Sequence, residues 1–208
     1  MITSSGLQPE TYHKGYSSHR EDGIMLANRN QSHLLVIDVQ QRLVPAIADV
    51  EQIVTNVARL VRYATILGVP ITFTEHMPQR IGHLLPALRA GAAQSCSVIE
   101  KTTFSAVREP AFAARMTDLQ QTGRNTVVVC GMEAHVCVMQ TVLELRKGGD
   151  QVLLVADAVG SRTSSNRALA VDRMSEAGAE IVSQEMIAFE WLERGDAPEF
   201  KEILKLLK

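Results

Sequence analysis

The run Thr126-Val127-Val128-Val129-Cys130-Gly131-Met132-Glu133-Ala134-His135-Val136-Cys137-Val138-Met139-Gln140-Thr141 decides the fold. Its first half is β-branched and apolar without alternation, the pattern of a strand covered on both faces. The strand is predicted to end at Gly131, with a turn after it and a helix opening near Ala134 or His135. Cys137 then falls in the first helical turn. Unpaired backbone N–H groups and the positive end of the helix dipole there favour thiolate over thiol, which suits a nucleophile. The same N–H groups suit the oxyanion that forms when a thiolate attacks a carbonyl. Cys130, inside the strand, reads as packing.

Outward from this run the same alternation repeats. His33 to Asp38 reads as a buried strand ending in a carboxylate. Glu51 to Leu67 carries Ile53, Val57, Leu60, Val61, Ala64 and Leu67 on one helical stripe, and Gly68 stops it. Pro70–Thr74 and Ser97–Glu100 read as strands, with a short helix near Leu84–Arg89 between them. A helix over Pro110–Gln121 opens on proline. After the Cys137 helix come a strand from Gln151 to Ala156, a helix from about Ser165 to Ala177, and a strand from Ala179 to Val182. Two amphipathic segments, Glu185–Glu193 and Pro198–Leu207, finish the chain. Apolar strands separated by helices predict an α/β fold: a three-layer α/β/α sandwich around a six-stranded, mainly parallel, Rossmann-like sheet. Ligands bind such sheets beyond the carboxyl ends of the strands. Asp38, Cys137 and the residues after Ala156 all fall there.

Composition narrows the function. The 208 residues are 46% hydrophobic and 21% charged, with a formal net charge of −2. No basic block marks a nucleic-acid surface, and no apolar run is long enough to cross a bilayer. Three cysteines without CxxC spacing speak for a reducing, cytoplasmic setting instead of a disulfide framework. Residues 1–31 are polar, lack the apolar core of a signal peptide, and read as an arm ahead of a domain spanning 32–208. The turn Asp38-Val39-Gln40-Gln41 holds no GxGxxG, which counts against a dinucleotide-dependent oxidoreductase.

Three stretches together carry a resemblance. Asp38 in Leu35-Val36-Ile37-Asp38-Val39-Gln40, Lys101 in Glu100-Lys101-Thr102-Thr103-Phe104-Ser105, and Cys137 in Gly131-Met132-Glu133-Ala134-His135-Val136-Cys137 resemble the Asp–Lys–Cys triad of isochorismatase-like cysteine hydrolases. Asp157-Ala158-Val159-Gly160-Ser161-Arg162 and Pro198–Ile203 extend the likeness from His33 to the C-terminus. The resemblance implies a hydrolase that needs no cofactor, cuts a C–N bond of a small molecule through a Cys137 thioester, and assembles as a homo-oligomer. Asp38 would take and return the thiol proton, and Lys101 would stabilise the charges beside it. A cis peptide at Met132–Glu133 would aim the Glu133 and Cys137 backbone N–H groups at the oxyanion. Taken singly, Asp38 reads equally as a strand cap and Lys101 as a surface residue. Within the family, vinyl-ether cleavage needs only the aspartate, and a non-catalytic interaction protein is a further alternative.

Further pocket candidates are Gln40, His76, Phe104, His135, Ser161 and Arg162. Gln40 is placed to orient the substrate or Asp38. His135, two residues before Cys137, cannot face it from an early helical turn and reads as a pocket or interface histidine. Arg162 suits either a carboxylate clamp or an ion pair with Asp157 or Glu133. His76 and His83 invite a metal reading, but Thr74 stands where metal-binding relatives carry Asp, so no metal is expected.

Overall fold

The computed structural model of the protein describes residues 26–92 and 96–207. The residue 1–31 arm is therefore described only from Leu26 onward; the rest of it lies outside the described residues. Six strands run β1 (Ser32–Ile37), β2 (Ile71–His76), β3 (Ser97–Lys101), β4 (Thr126–Met132), β5 (Gln151–Gly160) and β6 (Glu180–Val182). They form one sheet in the order β3-β2-β1-β4-β5-β6, and every pairing is parallel. The helices are α1 (Val50–Leu67), α2 (Pro78–Ile81), α3 (Pro86–Gly91), α4 (Pro110–Gln121), α5 (Met139–Lys147), α6 (Ser164–Glu176), α7 (Gln184–Leu192) and α8 (Phe200–Leu207). None is long and apolar enough to cross a membrane.

Two hydrophobic clusters explain why the strands show no alternation in sequence. Leu34 and Val36 pack with Val57, Leu60, Ile187, Trp191 and Ile203 from α1, α7 and α8. Leu35 and Ile37 point the other way, into Phe112, Met116, Val142 and Met174 from α4, α5 and α6. Both faces of β1 are apolar because both are covered, which gives the three-layer α/β/α sandwich. Each fully buried aliphatic side chain contributes roughly 1.5–3 kcal/mol.

Several element ends shift by a residue or two from the sequence reading, and four changes bear on the site. β1 stops at Ile37, leaving Asp38 just beyond it with a left-handed φ of 50°. The short helix near Leu84 starts later, at Pro86, because proline is preorganised for a first turn. Residues Ala134–Val138 form a π-helical turn that carries Cys137, and the regular helix α5 begins only at Met139. β5 does not end at Ala156 but runs to Gly160. Between Val129 and Gly131 of β4 its partner advances from Leu154 to Val159, so β5 makes a bulge opposite Cys130 and then rejoins the sheet.

The crossover reversal lies between β1 and β4. Strands β1, β2 and β3 step outward on one side of it, and β4, β5 and β6 on the other. A crevice opens there at the carboxyl ends of the strands. At its floor Gly131 of β4 pairs with Ile37 of β1. A side chain on Gly131, at φ 121°, would run into the Ile37 backbone, so only glycine fits.

Candidate active site

Asp38 enters the crevice from the end of β1. Its backbone N–H donates to the Thr74 carbonyl at 3.2 Å, and its Oδ1 accepts from the Thr74 hydroxyl at 2.6 Å. Thr74 was not among the sequence candidates. Four of the six residues of β2 are polar, so Thr74 does not stand out in sequence, and only the register that sets it beside Ile37 singles it out.

Lys101 is the last residue of β3, two strands away from β1, or about 9–10 Å at ordinary strand spacing. A long side chain bridges that gap. Its Nζ lies 2.7 Å from Asp38 Oδ2, and both side chains are fully buried. Nζ also donates to the carbonyls of Thr103 (3.2 Å) and Phe104 (3.1 Å), so the loop after β3 holds the ammonium from behind. Oδ2 has no well-aligned hydrogen bond among the described residues, although the ammonium stands against it.

Cys137 completes the group from the far side of the crevice. Its sulfur lies close enough to feel both the Asp38 carboxylate and the Lys101 ammonium, and the residue is 6% exposed. The three residues drawn from β1, β3 and the turn after β4 therefore meet. The expected preformed thiolate is not supported. Burial first, and the Asp38 carboxylate second, push the thiol up to about 12, against the opposing pull of Lys101. The sulfur keeps its proton at neutral pH. Cys130 is raised further by burial and lies inside the sheet, as packing. The Met132–Glu133 peptide is cis, in the place the resemblance implied.

The remaining candidates separate. Gln40 is fully buried, but its amide is spent on backbone. Oε1 accepts from His76 N at 2.7 Å, and Nε2 donates to the carbonyls of His76 (3.1 Å) and Gly82 (2.5 Å). It clasps the loop after β2 and has no donor left for a substrate or for Asp38, which corrects the expectation. His76 faces the site: its ring stacks on Phe104 with centroids 5.4 Å apart at 29°, and Phe104 is half exposed. Burial, joined by the Lys101 charge, holds His76 below its ordinary value, so the ring is neutral. Its Nδ1 is buried without a partner among the described residues.

Arg162 is an ion-pair residue, not a free carboxylate clamp. Nη2 lies 2.6 Å from Glu133 Oε1, while Nε and the backbone N–H donate to Oε2 at 3.1 and 3.0 Å. These hydrogen bonds hold the Glu133 carboxyl below the usual range. His135 Nδ1 lies 3.0 Å from the Ser161 hydroxyl, so its ring leans toward the segment after β5 and away from Cys137. His83, from the loop after α2, pairs with Glu75 of β2 at 3.0 Å. Among the described residues no cluster of three or more metal-ligating side chains occurs.

Comparison with known proteins agrees with the fold. The isochorismatase domain family matches residues 32–186. Isochorismatase domain-containing protein 2 of Rattus norvegicus is 36% identical over 177 residues, covering 85% of this chain and 81% of that protein. The structure of MAR1 ribonuclease from Caenorhabditis elegans superposes with a TM-score of 0.82 at 34% identity, covering 88% of this chain and 92% of that one. The YcaC gene product of Escherichia coli, described as an octameric hydrolase of unknown specificity, shares the fold at a TM-score of 0.81 and 23% identity, covering 88% and 91%. A profile that spans the whole sheet, and relatives aligned over most of their own length, place this chain in the isochorismatase domain family.

Proposed function

We propose that the protein is a cysteine hydrolase that cleaves a C–N bond of a small amide-type substrate without a cofactor. One observation carries this reading: a thiol, a carboxylate and an ammonium group from three separate stretches of chain share one buried point. A structural ion pair has no need of a thiol, and a packing cysteine has no need of either charge.

The protonated resting sulfur fits this chemistry. Asp38, paired with Lys101, accepts the Cys137 proton on Oδ2 as the sulfur attacks the carbonyl carbon. The carbonyl electrons move to oxygen, which the Glu133 and Cys137 backbone N–H groups receive. Collapse expels the amine with the proton returned from Asp38 and leaves a thioester on Cys137. Asp38 then draws a proton from water, which attacks the thioester carbon; collapse breaks the C–S bond, releases the acid and returns that proton from Asp38 to the Cys137 sulfur. Neutral His76 and the exposed face of Phe104 form the wall against which the substrate lies. The domain would span residues 32–208, and an octameric neighbour supports a homo-oligomer.

The test is turnover of a panel of amides and ureido compounds, followed by mass spectrometry of the stalled enzyme. An acyl mass on the Cys137 peptide, absent in Cys137→Ala, is the expected result. A vinyl ether is assayed beside the amides: its turnover, surviving Cys137→Ala while no amide is cleaved, would replace this reading with vinyl-ether cleavage through Asp38. The name of the Caenorhabditis relative raises RNA cleavage as a second activity to assay. A net charge of −2, with Lys101 and Arg162 already paired, argues against an RNA surface.

A further inference from the structure

Glu133 has no step in the reaction above, yet its carboxylate is 6% exposed at the rim of the site. It belongs to the residue whose backbone N–H that reading assigns to the oxyanion. Left unpaired, a carboxylate so close would repel the negative charge that builds on the substrate, and in a partly dry site the repulsion is strong. The groups facing it are Arg162, from the segment after β5, and His135, on its own turn. Arg162 engages both carboxylate oxygens, and its side chain makes no other hydrogen bond among the described residues, although it is 62% exposed. A second contact, His135 to Ser161, draws the same segment onto the same turn. Arg162 therefore reaches back from solvent to a single buried partner.

We propose that Arg162 is a positioning residue for the oxyanion: its guanidinium cancels the Glu133 charge, so that the N–H groups beside Cys137 meet a developing negative charge unopposed. The proposal rests on the cysteine-hydrolase reading and assigns an electrostatic duty to a pair that otherwise looks like a loop staple.

Two thiol probes on the full chain separate these roles. With acrylamide, the Cys137 sulfur bonds to the terminal alkene carbon, the π electrons shift onto the amide oxygen, and the thiol proton finishes on the carbon next to the carbonyl. With iodoacetamide, the sulfur displaces iodide, which leaves with the bonding pair, and the thiol proton passes to Asp38. Only the first builds charge on oxygen, so the ratio of the two Cys137 labelling rates reports the oxyanion environment and cancels thiol ionisation. Arg162→Met is expected to lower the ratio about tenfold at pH 7, less than the loss of a whole oxyanion donor. Lowering the pH into the ordinary carboxylate range, or adding Glu133→Gln, is expected to restore it. Arg162→Lys, which keeps the charge without the fork, should stay close to wild type. An unchanged ratio in Arg162→Met, a loss that Glu133→Gln fails to restore, or a Lys variant as impaired as Met would overturn the proposal. Wild-type Cys137 that reacts with neither probe would instead sink the cysteine-hydrolase reading, and this proposal with it.

Discussion

Lys101 Nζ stands 2.7 Å from Asp38 Oδ2 with neither side chain exposed to solvent. The charge pair at the heart of the site is thus wholly desolvated. Removing one member leaves the other buried and bare, so Lys101→Met should cost about 3–5 kcal/mol of stability. The double variant Lys101→Met/Asp38→Leu should recover most of that loss. Urea unfolding at pH 7 measures both, and a single-variant loss under about 1 kcal/mol would mean that water reaches the pair.

Removing the carboxylate should free the sulfur. The Cys137 thiol is held up to about 12 by burial and by the Asp38 charge. In Asp38→Asn the opposing anion is gone and Lys101 acts alone, so the thiol should ionise at lower pH than in wild type. Thiolate absorbance, corrected with Cys137→Ser, is the measurement. Turnover should vanish in the same variant, because the proton acceptor is lost. A thiol that titrates higher in Asp38→Asn would contradict the assigned causes.

A buried histidine at the opposite end of β1 should make the fold acid-sensitive. His33 is fully buried with Nε2 2.9 Å from the Thr72 hydroxyl, and burial, then Arg115 and Arg124, lower it from 6.5 to about 3. The unfolded chain binds a proton below pH 6.5, and the folded chain does not until about pH 3. Its contribution is therefore present above 6.5 and lost as pH falls toward 3. Between pH 8 and pH 5 that loss amounts to about 2 kcal/mol. His33→Gln should flatten this slope in urea melts, while a slope equal to wild type would assign the acid sensitivity to other groups.

Two glycines with positive φ should respond very differently to alanine. Gly131→Ala drives a methyl into the Ile37 backbone, which cannot withdraw without parting β1 from β4. A loss of at least about 3 kcal/mol is expected. Gly149, at φ 91°, has open space around it, so Gly149→Ala should cost only about 1–2 kcal/mol of backbone strain. Thermal or urea unfolding ranks the two, and equal losses would show that sterics at Gly131 are relieved.

The architecture is legible because strands buried on both faces are apolar throughout. His33–Asp38 and Thr126–Gly131 carry that pattern openly, and the parallel order follows from the helices between them. Asp38 and Cys137 are legible for a related reason, since each stands just past an apolar run and so on the rim; Lys101 follows Glu100 in a mixed strand and is picked out only by the family resemblance. What is hidden depends on direction in space. Gln40 lies two residues from Asp38, yet the left-handed φ at Asp38 and the loop after β2 turn its amide onto backbone. Thr74 supports Asp38 only through the register of two strands, which sequence does not print. The protonation state of Cys137 is likewise invisible, since it is the outcome of burial and a carboxylate from a distant stretch. The end of β5 is missed because its bulge reads as a strand stopping at Ala156.

That bulge has a structural use. Below it β5 is locked to β4 and β6 by ordinary pairing, and above it the strand is realigned before Ser161 and Arg162 leave the sheet. Lengthening or shortening the excursion would slide those two residues along the crevice while the lower ladder stayed in register. One short detour in a single strand thus works as an adjustment screw, through which a fixed scaffold can be retuned for new chemistry by insertion or deletion alone.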